Sequence, residues 1–251
     1  MEDMTEPAIS ISEISYGYPG QSRALISGLN LQISQGSRFG LFGPNGAGKT
    51  TLMNCMTGVL RIQTGEIKLL GKTVRKHDKS VNSLFGFVPQ DFSLYLELSP
   101  VENLAFFGAW YGLARSEIKA RTEELLAVLG LEDARNKQVR EFSGGMKRRV
   151  NLAIGVIHKP RILFLDEPTV GVDVQTRHAI LEYLKVLNAG GTTLVYTSHQ
   201  LYEAEALCND IAMMDQGKII TRDNLSKLME QHHEIGLEGL FIQLTGKEFR
   251  D

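Results

Sequence analysis

Gly43-Pro44-Asn45-Gly46-Ala47-Gly48-Lys49-Thr50 reads as a glycine, four further residues, and then Gly-Lys-Thr. It follows the apolar run Phe39 to Phe42 and precedes a stretch of helix-forming residues. Glycines in that spacing let the backbone curl so that several amides point inward at a phosphate, and the helix start adds partial positive charge. Lys49 is then suited to bridge outer phosphates and Thr50 to hold Mg²⁺. A second chemical pair, Asp166 and Glu167, closes the apolar run Ile162 to Leu165. Carboxylates at the end of a buried strand stand where open α/β sheets bind ligands. Asp166 suits the metal shell, and Glu167 could polarise the water that attacks a terminal phosphate. A third feature, Ser143-Gly144-Gly145, opens a helix marked by Met146, Val150, Ile154 and Ile157, and is a second anion-binding helix start without a lysine. Lys147, Arg148 and Arg149 fall largely off that apolar stripe and read as a solvated helix face.

The elements that must carry these groups follow from turn residues and periodicity. Residues 9 to 39 hold short Ile-, Tyr- and Leu-rich segments with the spacing of strands, and Gly36 marks a hairpin among them. A helix follows from Thr50 to Thr57, stopped at Gly58, and then two more strand-like segments, GEIKLLGKTV and SLFGFVPQ. Ser99, Pro100 and Glu102 form a helix start with capping residue, first-turn proline and capping-box glutamate. A second helix there ends at Gly130. From 143 onward helix alternates with strand (RILFL, TTLVYT, DIAMMD), which implies a parallel sheet with helices on both faces. The chain ends in a helix, NLSKLMEQHH, and a short tail.

Composition bounds the partners. Among 251 residues, 27 Lys and Arg face 29 Asp and Glu, a net charge of -2, so a chain that coats nucleic acid is not expected. Two separated cysteines, Cys55 and Cys208, indicate neither a disulfide framework nor a Cys-rich metal site. The acidic start MEDMTEP lacks the features of a signal peptide, so the chain is expected to remain where it is made. The longest apolar stretch, Leu104 to Ala114, falls short of the roughly 20 residues that a spanning helix needs.

With GPNGAGKTT, FVPQ, EFSGGMKRR and ILFLDEP in this order, the chain resembles the ATP-binding subunit of an ABC transporter over essentially its whole length. The resemblance implies an α/β P-loop NTPase fold of ABC type. Its mainly parallel sheet would be joined by an antiparallel β subdomain and an inserted helical subdomain at about 91–160, within a domain spanning 7–222. Residues 223–251 would form a C-terminal helix and tail. The cofactors implied are ATP and Mg²⁺. Gly43 to Thr51, including Pro44, Asn45, Gly46, Ala47, Gly48, Lys49, Thr50 and Thr51, corresponds to Walker A. Tyr18, with Tyr16 as the competing choice, corresponds to the aromatic that stacks on adenine. Gln90 corresponds to the Q-loop residue that reaches Mg²⁺ beside Thr50 and Asp166. Ser143, Gly144, Gly145 and Met146 form the signature that caps ATP on the opposite subunit. Asp166 and Glu167 form Walker B and the catalytic glutamate, Val170 to Asp173 the D-loop, and His199 the switch histidine; Glu167, His199 and Lys49 are the catalytic set.

Two departures stand out: Met146 replaces the usual Gln that closes the signature, and the D-loop reads VGVD in place of SALD. Met146 offers no side-chain amide, which leaves the helix amides and Ser143 to cap the nucleotide. Both variants, with the ending GLEGLFIQLTGKEFRD, look like the exporter branch with a separate six-helix permease. The resemblance thus implies a homodimer or a paired ATP-binding subunit, an integral membrane permease as partner, membrane contact only through it, and a place on the cytoplasmic face of the cell membrane. The aromatics from Phe92 to Tyr111 either meet the permease or are the core of the helical subdomain. The alternative class is a soluble ABC ATPase acting on ribosomes, DNA or a protein assembly; the single cassette, the absence of a coiled-coil insertion and the near-neutral charge stand against it. A P-loop kinase or GTPase would need neither Ser143-Gly144-Gly145 nor His199.

Overall fold

A computed structural model of the chain describes residues 6–20, 23–75, 78–198, 201–231 and 236–245. The first elements are β1 (Ile9–Tyr16), β2 (Ile26–Ile33), β3 (Arg38–Phe42), α1 (Lys49–Met56), β4 (Thr64–Leu69), β5 (Lys72–Thr73), the short α2 (Lys79–Asn82) and β6 (Phe85–Val88). Then come α3 (Pro100–Trp110), α4 (Arg115–Val128), α5 (Gly144–Val156), β7 (Ile162–Asp166), α6 (Val174–Ala189), β8 (Thr193–Thr197), α7 (Leu201–Leu207) and β9 (Asp210–Asp215). The last are β10 (Lys218–Asn224), α8 (Leu225–Gln231) and α9 (Gly236–Thr245).

Two sheets form. One is antiparallel in the order β2-β1-β4-β5; the other runs β10-β9-β3-β8-β7-β6, parallel except for β10. Gly36 does turn the chain, with φ 72, but it connects β2 to β3, which lie in different sheets, so the expected hairpin is absent. The strand β10 and the helix α9 had no counterpart in the sequence reading, which ended the chain in a tail.

Inside its β10 edge the central sheet is buried on both faces, and its strands divide their side chains between two cores. Along β7, Leu163 and Leu165 enter a core built with α4, α5, α6 and the C-terminal helices. Ile162 and Phe164 point the other way, into a core shared with α1 and the antiparallel sheet. Period-2 alternation of large apolar groups on both sides is what a fully covered parallel strand requires. The second face is therefore covered by a sheet as well as a helix. Leu237, Leu240 and Phe241 of α9 belong to the first core, and their i, i+3, i+4 spacing anchors that helix.

The segment between β6 and α5 is helical. Ser99 caps α3 as its sequence suggested: Glu102 N donates to Ser99 Oγ at 3.3 Å, and Ser99 N donates to Glu102 Oε2 at 2.8 Å. The helix α5 lies close on β6, because a Cβ on Gly86 would overlap the carbonyl oxygen of Gly155. Just past α5, the His158 ring stacks on Tyr111 at 3.6 Å between centroids and its Nε2 contacts Phe85 O at 2.9 Å. A carbonyl partner makes Nε2 the protonated nitrogen.

Burial holds the His158 pKa down to about 4, the Phe85 carbonyl opposing and Arg121 reinforcing the shift. The folded chain therefore refuses a proton that the unfolded chain accepts between the ordinary value of 6.5 and about 4. Stability is complete above that window and declines as pH falls through it, by about 1 kcal/mol per pH unit. Urea unfolding at pH 7 and pH 5 should show this decline, and His158→Gln should flatten it. An unchanged slope in His158→Gln would place the titration elsewhere.

Candidate functional site

The loop between β3 and α1 folds as its glycines demand. A Cβ on Gly43 would overlap the Met214 carbonyl oxygen, so only glycine lets this loop pass β9. Gly46 has φ 80, a left-handed conformation that glycine adopts without strain. Gly48 precedes α1 with no side-chain cap, so the first-turn amides are orphan donors at the mouth of a cavity of about 360 Å³. Asn45, Gly46, Gly48, Lys49, Thr50, Thr51, Leu25, Gln90, Glu167 and Val170 line this cavity. Lys49 is buried, and its Nζ donates to Gly43 O at 2.7 Å and Pro44 O at 3.1 Å. Burial lowers its pKa, with the Glu167 and Asp166 carboxylates acting to raise it. An ammonium that has lost most of its water, beside amides without partners, is a strong site for an anion.

Asp166 ends β7 beside β8, where its Oδ1 accepts from Thr197 Oγ1 at 2.6 Å. The next residue, Glu167, is buried and has φ 49, a left-handed conformation that costs a non-glycine residue energy. Its amide donates to Thr197 Oγ1 at 3.1 Å, which holds the bend. Gln90, just past β6, donates from Nε2 to Glu167 Oε2 at 3.0 Å. The structure thus brings Lys49, Thr50, Gln90, Asp166 and Glu167 to one end of the parallel strands. A hydroxyl, an amide oxygen and a carboxylate from Thr50, Gln90 and Asp166 form an all-oxygen donor set suited to a hard cation such as Mg²⁺.

Ser143, Gly144 and Gly145 start α5, with Met146 N donating to Ser143 Oγ at 3.3 Å. Ser143 and Gly144 are exposed, and Gly144 stands near the Val170–Asp173 loop: a Cβ on it would lie 3.8 Å from Gly171 O. Tyr16 is buried in the second core, whereas Tyr18 is half exposed and its hydroxyl lies 3.1 Å from Thr51 Oγ1. Of the two tyrosines, Tyr18 is the one beside the phosphate loop. His199 lies outside the described residues.

The basic run after the signature is not the solvated face it resembles in sequence. Arg148 is buried, donating from Nη1 to Gln90 O at 2.7 Å, and its guanidinium stands 4.8 Å from the centroid of the Phe92 ring. Arg149 donates to Leu129 O at 2.8 Å and so ties α5 to the end of α4.

Two buried polar groups escaped sequence reasoning. Asn151, one turn after Arg148, donates to Pro89 O at 3.3 Å and accepts from Ser93 N at 3.2 Å. Glu203 on α7 is fully buried. Its Oε2 accepts from Thr169 Oγ1 at 2.6 Å, Tyr196 OH at 2.6 Å and Ser198 Oγ at 3.2 Å, and Arg177 Nε stands 3.0 Å from Oε1. This carboxylate ties the loop after Glu167 to the end of β8. Burial, reinforced by Glu203, raises the Tyr196 pKa well above its ordinary value, so that hydroxyl stays a donor.

The aromatics from Phe92 to Tyr111 divide. Phe107 and Tyr111 pack on the first core, while Phe92, Tyr95, Phe106 and Trp110 are exposed, Trp110 at 78%. Tyr95, Phe106 and Phe107 contact one another edge-on or tilted, with centroids 4.9 to 6.0 Å apart. No helix among the described residues is long and apolar enough to cross a membrane.

Comparison with known proteins agrees with this geometry. The family described as "ABC transporter" matches residues 26–170. The linearmycin resistance ATP-binding protein LnrL of Bacillus subtilis is 42% identical over 79% of this chain, which spans 64% of that protein's length. The Nod factor export ATP-binding protein I of Cupriavidus metallidurans is 38% identical over 89% of this chain and 73% of its own. A solved structure titled as the dimeric, post-hydrolysis state of the ATP-binding cassette MJ0796 bound to ADP and Pi superposes with a TM-score of 0.79 at 25% identity, covering 86% of this chain and 98% of the other. On the phosphate loop, the carboxylate pair at the strand end and these relatives, the chain belongs to the ABC transporter family of ATP-binding proteins.

Proposed function

We propose that the chain binds ATP at the Gly43–Thr51 loop, hydrolyses it as one half of a dimer, and so powers export of a substrate through a partner membrane permease. The observation that carries this reading is the convergence of Lys49, Thr50, Gln90 and Glu167 on one cavity at a helix start. The orphan amides of α1 and the Lys49 ammonium would receive the phosphates, Lys49 leaving the loop carbonyls that it now meets. Thr50, Gln90 and Asp166 would hold Mg²⁺, which when bound offsets the charge of the outer phosphates. Glu167, freed from Gln90, would orient and deprotonate the attacking water. Tyr18 would supply the ring for adenine.

The start of α5 is exposed and does not line its own chain's cavity, which supports its use as a cap on a second subunit's nucleotide. The dimeric form named for MJ0796 supports the same pairing. A separate permease is supported by the export and resistance roles named for the two relatives, and by the exposed aromatics of α3 as its landing surface. That arrangement would hold the chain on the cytoplasmic face of the cell membrane.

Affinity purification from gently solubilised native membranes tests the reading. A polytopic membrane protein should co-purify in stoichiometric amount, with ATPase activity rising alongside it. Recovery with ribosomes or nucleoprotein and no membrane partner would overturn it.

A further inference from the structure

We propose that Arg148 is a positioning residue for hydrolysis: its buried guanidinium clamps the Gln90 loop and the Val170 loop to α5, and thereby holds Glu167 between them. The inference rests on the proposed reading of the cavity as an ATPase site. Three observations carry it. Arg148 Nη1 makes a short bond to Gln90 O at 2.7 Å and a longer contact with Pro89 O at 3.5 Å, and Nη2 reaches Val170 O at 3.5 Å. Both loops grip Glu167 directly, Gln90 through its side chain at 3.0 Å and Val170 through its amide, which donates to Glu167 O at 3.3 Å. Asn151 also anchors the first loop, through Pro89 and Ser93, but among these contacts only the arginine reaches the second.

The choice of side chain fits the task. A planar fork with several N–H donors can serve carbonyls from two segments at once, which the ammonium of a lysine does with far less geometric control. Burial works against the guanidinium charge, and the Glu167 and Asp91 carboxylates work for it. The Phe92 ring over the guanidinium adds cation–π attraction. Phe92 is itself exposed, so a partner covering it would meet a ring already seated on the clamp.

The test uses the full chain with Arg148→Lys and Arg148→Gln, each checked for folding by circular dichroism. Three quantities are measured: kcat, the dissociation constant for ATP under non-hydrolysing conditions, and amide hydrogen exchange at residues 90–93 and 170–173. The clamp requires kcat to fall about tenfold or more, ATP affinity to stay within about threefold, and exchange to quicken about tenfold in those two segments alone. A folded variant with kcat within about twofold of wild type and unchanged exchange overturns it. So does a parallel loss of affinity with faster exchange along all of α5, which would make Arg148 a general packing group. A wild-type chain without ATPase activity would instead sink the reading of the site, and the exchange measurement would still decide whether the clamp exists.

Discussion

Glu167→Gln is expected to bind ATP within about threefold of the wild-type affinity and to hydrolyse it about a thousandfold more slowly. The substitution keeps size and shape in a buried position, so the bend at φ 49, held by Thr197, has no reason to change. The donors that would receive phosphate, the α1 amides and Lys49, are untouched. What disappears is the carboxylate able to take a proton from water, an effect of about two to four orders of magnitude in general-base catalysis. If hydrolysis separates the dimer, the variant should accumulate as an ATP-bound dimer in size-exclusion chromatography, while wild type returns to monomer. Full turnover by Glu167→Gln in the presence of partner would remove Glu167 from the role of base. Lys49 would then stand as the principal catalytic group of the cavity.

The second large effect concerns stability. Glu203→Ala is expected to lose about 3 to 5 kcal/mol, because truncating one member of a buried charged network strands the others. Thr169, Tyr196 and Ser198 would lose their common acceptor, and Arg177 the carboxylate facing its Nε, all around a side chain with no exposure. For a chain of this size that corresponds to a fall in Tm of about 10 °C. Differential scanning calorimetry would measure it, with Glu203→Gln as the milder comparison that preserves an acceptor. A shift of less than about 1 kcal/mol would show that water enters and serves these groups in place of the carboxylate.

What could be read from the sequence is whatever is encoded locally. The phosphate loop is eight consecutive residues, the carboxylates directly follow an apolar strand, and Ser99 caps its own helix three residues on, so spacing alone exposes them. Arg148 was misread because its partners, Pro89 and Gln90, lie 59 and 58 residues away. A Lys-Arg-Arg run looks solvated until the fold brings carbonyls to it. Glu203 was missed for the same reason: nothing in the run LYEAEAL separates a surface glutamate from one that closes a buried network. The strand β10 is a polar edge with half-exposed alternation, and α9 contains two glycines that weaken its helical signal. Tertiary contact supplies what local preference does not: β10 pairs with β9, and Leu237, Leu240 and Phe241 bury themselves in the first core.

Trp110 is the only tryptophan in the chain and stands at the end of α3 with most of its surface in solvent. An indole so placed emits as a solvated fluorophore, and any surface that covers α3 must strip water from it. The protein therefore contains an intrinsic optical reporter of that face. Its emission colour and its accessibility to aqueous quenchers register coverage of α3 without a dye, and no second tryptophan adds a background to the signal.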